Sequence, residues 1–260
     1  MVGMELELDY DMSAQDNANF YYTKAKKLLQ KKEGASKAVD EMKERLAAAK
    51  NSEPAAMKRI VVKRRLEWYE KFNWFFTSGG KLVIGGRDAQ QNEMVNSRHF
   101  ESGDLFFHAD VHGASVTVMK DGESSGKADR EEAAQFAASF SRGWQEGLRS
   151  VDVYCMRREQ VSKSTEKGSL GTGSFLLSGE REWYRNVPLL LLCFVKESVF
   201  NIVPERAAAS LELPSTKVLR LAQGDKKKSD AAKLISRLLE YDDVDYIMQH
   251  MPNGNFNITE

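Results

Sequence analysis

Two histidines and an aspartate recur at every second position in the segment that reads LFFHADVH. On a β-strand alternate side chains share a face, so His108, Asp110 and His112 would lie together opposite an apolar face. Two imidazoles and a carboxylate can bind a metal ion or transfer protons near neutral pH. The other histidines, His99 and His250, add no nearby cluster that would complete a metal site. We therefore favour a polar strand face that packs against loops or contacts RNA phosphate.

An aromatic run precedes this segment and predicts a hairpin. Its members lie within nine positions: Trp68, Tyr69, Phe72, Trp74, Phe75 and Phe76. The first three have helical spacing, so we expect them to end a helix. Residues 74–77 predict a strand, residues 78–80 (Ser-Gly-Gly) its turn, and residues 81–84 the return strand. We interpret the aromatics as core side chains, with base stacking by exposed rings as the alternative.

A double glycine follows the return strand in the segment GGRDAQQNE. Asp88 and Gln91 have the spacing of a capping box, which predicts a helix that continues to about Arg98. The N–H groups and dipole of a helix N-terminus favour anions, and Arg87 adds a positive charge beside it. The segment matches neither GxGxxG nor a P-loop, so an ordinary strand-to-helix turn is the equal alternative.

Two further segments could contact phosphate groups. Residues 161–174 form a predicted flexible loop rich in Gly, Ser and Lys, in which Lys163 supplies an ammonium group. Such loops can bind phosphates through backbone N–H groups and charge, although most are ordinary connections. Residues 217–237 contain seven Lys and Arg against two Asp, with three lysines (226–228) directly before a helix predicted for residues 229–241.

The 260 residues are enough for one large or two small domains, and the formal net charge is zero. The charge is unevenly distributed, because residues 1–23 contain five acids and no Lys or Arg, whereas residues 24–65 contain 14 Lys and Arg against five acids. A basic, protruding segment suggests a polyanionic partner, although solvated helix faces are often basic too. Cys155 and Cys193 are expected to be buried thiols in a reducing compartment. The most apolar run, residues 187–195, is too short to span a bilayer, so we expect a soluble cytoplasmic protein without a membrane partner.

The elements that must position these residues begin with a long helix. Residues 14–49 place apolar and small side chains in alternating steps of four and three, the spacing of a weak coiled-coil seam. Pro54 interrupts it, and a second helix over residues 55–72 can return antiparallel, which predicts a helical hairpin arm. A plain two-helix packing element without a partner is the alternative.

The rest of the chain predicts a layered fold. Further strands are expected at residues 105–112, 151–156, 175–177, 189–195 and 198–203, and further helices at residues 129–147 and 243–250. We expect ordered structure to end near residues 251–254. The predicted fold class is α/β: a mixed, largely antiparallel sheet with flanking helices, preceded by an antiparallel helical hairpin (coiled-coil) arm.

Several of these segments resemble a known family. They read WYEKFNWFFTSGGKLVIGGRDAQQNEM, GDLFFHADVHGAS, EEAAQFAASFSRGWQEGLRSVDVYC, QVSK and GTGSF…REWYRNVPL. They are similar to the C-terminal RNA-binding-type domain, NFACT-R, of the NFACT family, which includes NEMF, Caliban, RqcH and fibronectin-binding A-like proteins. The basic segment near Lys226 and the closing MPNG are most similar to archaeal members. We expect a coiled-coil or helical hairpin arm at 1–66, an NFACT-R core at 67–204 and a basic C-terminal extension with helices at 205–260.

The resemblance implies ribosome-associated quality control. Family members bind obstructed large ribosomal subunits that carry peptidyl-tRNA, and they recruit tRNA for C-terminal tailing of the stalled chain. Peptide transfer there belongs to the ribosome, so we expect no enzyme, no cofactor and no metal. Expected partners are the rRNA of the large subunit, tRNA and, at the arm, a ribosomal protein or a ubiquitin-ligase-type protein.

Nine residues are the predicted RNA contacts, and the cationic ones would act mainly on phosphate. They are Arg87, His108, Asp110, His112, Lys163, Arg185, Lys226, Lys227 and Lys228. Two departures from the family pattern qualify this expectation. Residues 164–166 (Ser-Thr-Glu) stand where relatives often carry Thr-Ala-Pro, and the NFACT-N and helix-hairpin-helix regions of full-length relatives are missing. We therefore expect a fragment or one half of a split protein.

Two other functions stay open. A metal-dependent phosphoesterase or nuclease that uses His108, Asp110 and His112 would purify with metal and cleave RNA until a chelator is added. A protein-interaction scaffold without RNA contact would co-sediment with ribosomes even in high salt. The weak heptad seam could also pair between two chains.

Overall fold

The computed structural model describes residues 7–11, 13–52, 66–165, 168–169, 171, 173–209 and 217–260. The chain divides into two compact units, Met1–Arg64 and Arg65–Glu260. No helix within the described ranges is long and apolar enough to cross a membrane. Most of the predicted returning helix of the arm, from residue 55 onward, lies outside the described residues, and its last part is not helical: residues 68–71 form turns instead.

The described residues form the following elements. The helices are α1 (Ala14–Ser52), α2 (Ala89–Arg98), α3 (Lys127–Ser139), α4 (Arg142–Gln145), α5 (Lys228–Leu239) and α6 (Val244–His250). The strands are β1 (Asn73–Phe76), β2 (Leu82–Gly85), β3 (Leu105–Ala109), β4 (Thr117–Met119), β5 (Ser150–Arg157), β6 (Val161–Ser162), β7 (Ser164–Thr165), β8 (Gly168–Ser169), β9 (Leu176–Leu177), β10 (Glu182–Pro188), β11 (Leu191–Lys196), β12 (Val199–Pro204), β13 (Leu219–Lys227) and β14 (Asn255–Thr259).

The N-terminal unit contains the predicted long helix as α1. Ser13 caps it, since its hydroxyl oxygen accepts the N–H of Asp16 at 3.1 Å. The buried side chain of Asn17 exchanges two hydrogen bonds of 2.9 Å with the backbone of Asp9, which fixes the chain entering the helix. The large apolar residues Leu28, Val39 and Met42 of the predicted seam are exposed.

Six antiparallel strands of the second unit form one sheet in the order β1-β2-β4-β3-β5-β10. One face packs against α3, where the rings of Phe136 and Phe75 lie 4.8 Å apart. The opposite face packs against α2 through Val95. Alternation along β3 sends Phe107 to the first core and Phe106 to the second. A helix therefore packs on each face of this sheet.

The predicted turn between β1 and β2 is confirmed and is tied to α3 by two carboxylates. Glu132 accepts the Ser78 N–H at 2.8 Å and the Ser78 hydroxyl at 2.6 Å. Asp129 accepts the Gly79 N–H at 2.8 Å. Both acids are buried, and these hydrogen bonds offset the cost of removing their charges from water. The aromatic hairpin is thus held against α3.

A second sheet has the order β12-β11-β13-β14. Helix α5 packs against this sheet and buries Ala231, Ala232 and Ile235. Helix α5 also packs against α6. Two residues separate Pro188, the end of β10, from Leu191, the start of β11. This short connection leads directly from the first sheet into the second, and the two share one hydrophobic core.

The structure corrects two predicted boundaries. The helix predicted for residues 129–147 is two helices, because the Ser141 hydroxyl caps a new start by accepting the Gly143 N–H at 3.1 Å. Order does not end near residue 254, since β14 follows and pairs with β13. Strands β10, β13 and β14 were not expected from the hydrophobic pattern. The prediction of buried, free thiols is confirmed for Cys155 and Cys193.

Candidate nucleic-acid interface

A row of three ring side chains crosses β3, β5 and β10 at one level of the first sheet. Tyr154 is the register partner of His108 on one side and of Trp183 on the other. The ring centroids of Tyr154 and Trp183 lie 5.4 Å apart, and those of His108 and Tyr154 lie 5.5 Å apart. Directly paired residues point to the same face, so strand register alone assembles this row.

Two exposed arginines lie over this row. The guanidinium carbon of Arg181 is 4.6 Å from the Tyr154 ring centroid and 5.9 Å from that of Trp183. The guanidinium carbon of Arg185 is 4.1 Å from the Trp183 centroid. A cation and the face of an aromatic ring attract each other. Aromatic rings and guanidinium planes are also the groups on which unstacked RNA bases stack. Tyr154 is only 6% exposed, so the two arginines and the half-buried Trp183 are the groups here that can contact bases and phosphates.

Asp152 fixes one of these arginines. Its carboxylate accepts the N–H of Asn186 at 2.8 Å and the Nη1–H of Arg185 at 2.6 Å. These hydrogen bonds, the one from the Asn186 backbone first, lower the pKa of Asp152. Asn186 has φ +53 within a bulge of β10, a conformation that asparagine adopts more readily than most residues. The bulge thus brings the backbone N–H and the arginine to one carboxylate.

The inner part of the row is uncharged. Burial lowers the pKa of His108 and raises the pKa of Tyr154, so both side chains are neutral at pH 7. The Tyr154 hydroxyl and His108 Nδ1 lie 3.1 Å apart and share a hydrogen bond. His108 therefore contributes stacking and hydrogen bonding to this face rather than positive charge.

The predicted alignment of His108, Asp110 and His112 on one strand face is wrong. β3 ends at Ala109, and the chain then turns around Gly113, which has φ +74. Asp110 and His112 are exposed beyond the strand. Within the part of the chain that the structure describes, no group of three or more His, Cys, Asp or Glu could hold a metal ion.

Lys163 lies in a network of its own. Its ammonium group bonds the Glu93 carboxylate on α2 and donates to the backbone oxygens of Gly171 at 2.8 Å and Ser174 at 3.3 Å. It also lies 5.2 Å from the Phe175 ring centroid. The hydrogen bond from Lys163 lowers the pKa of Glu93. The lysine thus joins the described parts of the 161–175 loop to α2.

Arg87 extends away from the start of α2. That start is capped as predicted, since the Asp88 carboxylate accepts the Gln91 N–H at 2.8 Å. The Nη2 group of Arg87 donates to the backbone oxygen of Phe72 at 2.8 Å and lies 2.9 Å from Nε2 of His250. Burial lowers the pKa of Arg87. The arginine therefore joins the aromatic hairpin to the C-terminal part of the chain.

His250 accepts this contact as a neutral imidazole. Burial, and secondarily the charge of Arg87, lowers its pKa to about 4. Its Nδ1 lies 2.8 Å from the backbone oxygen of Tyr246 and donates to it, which leaves Nε2 as the acceptor for Arg87.

The three consecutive lysines have different environments. Lys226 and Lys227 are exposed at the end of β13. Lys228 opens α5, one residue before the predicted start, and is half-buried. Burial, together with the nearby charge of Arg87, lowers its pKa to about 8. Lys228 and Arg87 line one cavity of about 220 Å³.

Sequence reasoning missed Arg181, Tyr154 and Trp183 as parts of a candidate interface. A signal was present, because Arg181, Trp183 and Arg185 alternate and so share a face wherever the segment is a strand. The pairing of Trp183 with Tyr154, 29 positions earlier, carries no local signal.

Residues 71–179 match the family model described as the NFACT protein RNA binding domain. The chain belongs to the NFACT family. The matched range includes Arg87, His108, Tyr154 and Lys163 and ends before Trp183. The NFACT domain therefore supplies two of the three rings of the row, and the strand that follows it supplies the third.

Two curated relatives show how much of the family this chain represents. It is 35% identical over 210 residues to the archaeal Rqc2 homolog aRqcH of Methanocaldococcus jannaschii, which covers 78% of this chain and 31% of that protein. It is 34% identical over 221 residues to the ribosome quality control complex subunit NEMF homolog of Drosophila melanogaster, which covers 80% of this chain and 22% of that protein. The chain spans about a third or less of these NFACT proteins.

A solved structure is also similar to this chain. It is the C-terminal part of the fibronectin/fibrinogen-binding protein from Streptococcus suis, with a TM-score of 0.40 and 22% identity. The superposition covers 58% of this chain and 56% of that chain.

Proposed function

We propose that this chain is the RNA-contacting part of a cytoplasmic ribosome quality control factor. In this proposal it binds obstructed large ribosomal subunits that carry peptidyl-tRNA and helps to recruit tRNA for C-terminal tailing of the stalled chain. Similarity to proteins named as ribosome quality control complex subunits supports the ribosomal setting. The chain itself has a positioning role, because the ribosome performs peptide transfer.

The row formed by His108, Tyr154 and Trp183 under two arginines is the observation that carries this proposal. Stacking on rings and guanidinium planes is how proteins hold unpaired bases, and it contributes about 1–3 kcal/mol per base. Arg181 and Arg185 add phosphate contacts at the same place. A single-stranded or loop segment of RNA fits this chemistry better than a regular duplex does.

The other predicted contacts surround this row in the proposal. Asp110 and His112 are exposed after β3 and can donate or accept hydrogen bonds at its margin. Lys226 and Lys227 supply long-range attraction to phosphate. Lys163 orders the loop that borders α2, so we assign it mainly to positioning, with Glu93 as its ion-pair partner. The N-terminal unit, with its basic helix, would bind rRNA or a protein partner of the ribosome or ubiquitin-ligase type.

The deciding experiment is binding of this chain to labelled tRNA and to purified large subunits, empty or carrying peptidyl-tRNA, across a salt series. The test variant is Arg181→Ala with Arg185→Ala. The matched control is Arg220→Ala with Arg237→Ala, which removes two exposed arginines from other elements. We expect affinity to fall as salt rises, and the test variant to weaken binding and flatten this dependence while the control does not.

Other outcomes would contradict the proposal. Binding to ribosomes that is insensitive to high salt would favour a protein-interaction scaffold. Bound metal in the purified chain, with RNA cleavage that a chelator stops, would favour a phosphoesterase or nuclease.

A further inference from the structure

The cavity of about 220 Å³ between β1, Arg87 and the start of α5 has an unusual charge composition. Its described lining includes two cationic side chains, Arg87 and Lys228, and no carboxylate. Exposed Gln249 and Asn253 lie on its rim, so it communicates with solvent. Half-buried cations are normally paired with acids, because unpaired charge is costly to remove from water. The lining of this cavity therefore favours binding of an anion.

Lys228 keeps donor capacity for a ligand. Its Nζ donates to the backbone oxygen of Met251 at 2.8 Å and to Oδ1 of Asn253 at 3.1 Å. An ammonium group has three N–H bonds, so one is left for a further acceptor. Lys228 is also the first residue of α5, and the N-cap residue Lys227 provides no side-chain hydrogen bond to that helix start.

Arg87 likewise has an unused donor. Its Nη2 group makes the contacts that join the hairpin to His250, whereas its buried Nε has no hydrogen-bond partner. A buried N–H without a partner destabilises the folded state unless something accepts it. Because Arg87 and Lys228 also repel each other, an acceptor that carries negative charge relieves both penalties.

A third polar group of the cavity, Asn73, indicates that the ligand also carries a hydrogen-bond donor. Asn73, on β1, lines the same cavity and is only 5% exposed, and its Oδ1 has no hydrogen-bond partner. An amide oxygen needs a donor, which a bare anion cannot supply. The ligand must therefore offer an anionic group to the two cations and a hydroxyl or N–H group to Asn73.

We propose that this cavity binds one phosphate of an RNA backbone together with the adjacent ribose 2′-hydroxyl. The phosphate oxygens accept from Arg87 and Lys228, and the hydroxyl donates to Asn73 Oδ1. Arginine and lysine are the usual phosphate ligands, and the 2′-hydroxyl is the group that separates RNA from DNA at such a site. At about 220 Å³ the cavity is much larger than one water molecule, which occupies about 30 Å³. This inference rests on the proposed RNA-binding function and adds a phosphate site to it.

The test compares Lys228→Met with Lys233→Met in the full chain. Lys233 is an exposed lysine of the same helix and does not line the cavity, so the pair is matched in charge. Affinity for a labelled single-stranded RNA is measured by fluorescence anisotropy across a salt series, with DNA of the same sequence as a second probe. We expect Lys228→Met to lower RNA affinity about tenfold and to reduce the salt slope by about 0.7, the value for one phosphate on a single strand. Lys233→Met should change affinity less than about twofold.

Asn73→Ala tests the hydroxyl contact separately. We expect the unmodified chain to prefer RNA over DNA, and this variant to lose most of that preference while it still binds DNA. A second readout avoids any dependence on the folding of variants. In the unmodified chain, saturating RNA should protect Lys228 from amine acetylation, read by mass spectrometry, more than it protects Lys233.

The outcomes separate this inference from the broader proposal. Salt-dependent RNA binding that Lys228→Met and Lys233→Met affect equally, without protection of Lys228, overturns the cavity assignment and leaves the RNA-binding function intact. Inorganic phosphate that protects Lys228 while RNA does not overturns the RNA assignment in favour of a free-phosphate site. An unmodified chain that binds no RNA overturns both proposals.

Discussion

Arg185 and Arg87 show how burial changes what an arginine does in this fold. Arg185 is exposed, lies over Trp183 and has the carboxylate of Asp152 at 2.6 Å. Arg87 is largely buried, donates to backbone oxygens and a neutral His250, and shares its cavity with Lys228 instead of an acid. The first arginine has a carboxylate partner and lies flat on an exposed side of the sheet, whereas the second lines an enclosed cavity without a carboxylate. In the two proposals, Arg185 belongs to the stacking surface and Arg87 to the phosphate site.

The largest expected effect concerns stability at the buried arginine. Arg87→Ala leaves the backbone oxygen of Phe72 and Nε2 of His250 without their donor, so we expect a loss of about 2–4 kcal/mol in the free energy of unfolding. Arg185→Ala breaks an exposed ion pair and should cost less than about 1 kcal/mol. Urea denaturation of both variants measures the difference. Equal losses would show that burial does not distinguish the two arginines.

A slightly smaller effect is expected in how the free energy of unfolding changes at low pH, because of buried His250. The pKa of His250 is lowered to about 4 from its ordinary 6.5, so between these values the unfolded chain binds a proton that the folded chain does not. Stability therefore decreases as pH falls from about 6.5 to about 4, by up to about 3 kcal/mol from this residue. Thermal or urea unfolding at several pH values, compared with a His250→Asn variant, isolates the contribution. A variant with the same acid dependence as the unmodified chain would contradict it.

At the row that contains Trp183, the expected effect is on affinity for RNA. Trp183→Ala removes the outermost ring of the row, the one that lies under both arginines. We expect RNA affinity to fall by about tenfold with little change in the salt slope, because stacking releases no counterions. Trp183→Phe should restore most of the affinity, which shows that the ring matters and not the fold alone. Anisotropy titrations at two salt concentrations measure both quantities. A large change in the slope would show that the row acts through charge.

The smallest expected effect comes from releasing Arg185. Asp152→Asn removes the negative charge while its amide oxygen can still accept the Asn186 N–H. RNA affinity should rise about two- to threefold and become more salt-dependent, since one more uncompensated cation faces the RNA. The same titrations apply, with Asp242→Asn, an exposed acid after α5, as the control. A decrease in affinity would mean that the orientation given by Asp152 outweighs its charge.

Local parts of this fold were predictable from the sequence. The Asp88 cap, the turn at Ser78 and Gly79 and the long helix α1 depend on residues a few positions apart, and all three are confirmed. Contacts across the chain were not predictable. Arg87 and His250 are 163 positions apart, and nothing in either neighbourhood indicates the other. The strand break after Ala109 could have been read from the glycine at position 113.

The candidate site also has a part that was predictable from the sequence and a part that was not. The nine predicted contacts contain both arginines of the comparison, because charge is visible in a sequence. The row over β3, β5 and β10 was hidden, because only strand register places Trp183 beside Tyr154, which is itself a buried core residue. The cavity was hidden for the same reason, because only the tertiary fold brings Asn73 and Lys228 together.

The bulge at Asn186 has a consequence for self-association. β10 is an outermost strand of the six-stranded sheet, and a straight, regular strand there would offer its free backbone groups to another chain. The left-handed residue and the register shift between Tyr184 and Val187 interrupt that template halfway along its length. The same irregularity that presents the Arg185 side chain therefore also protects the molecule against edge-to-edge aggregation.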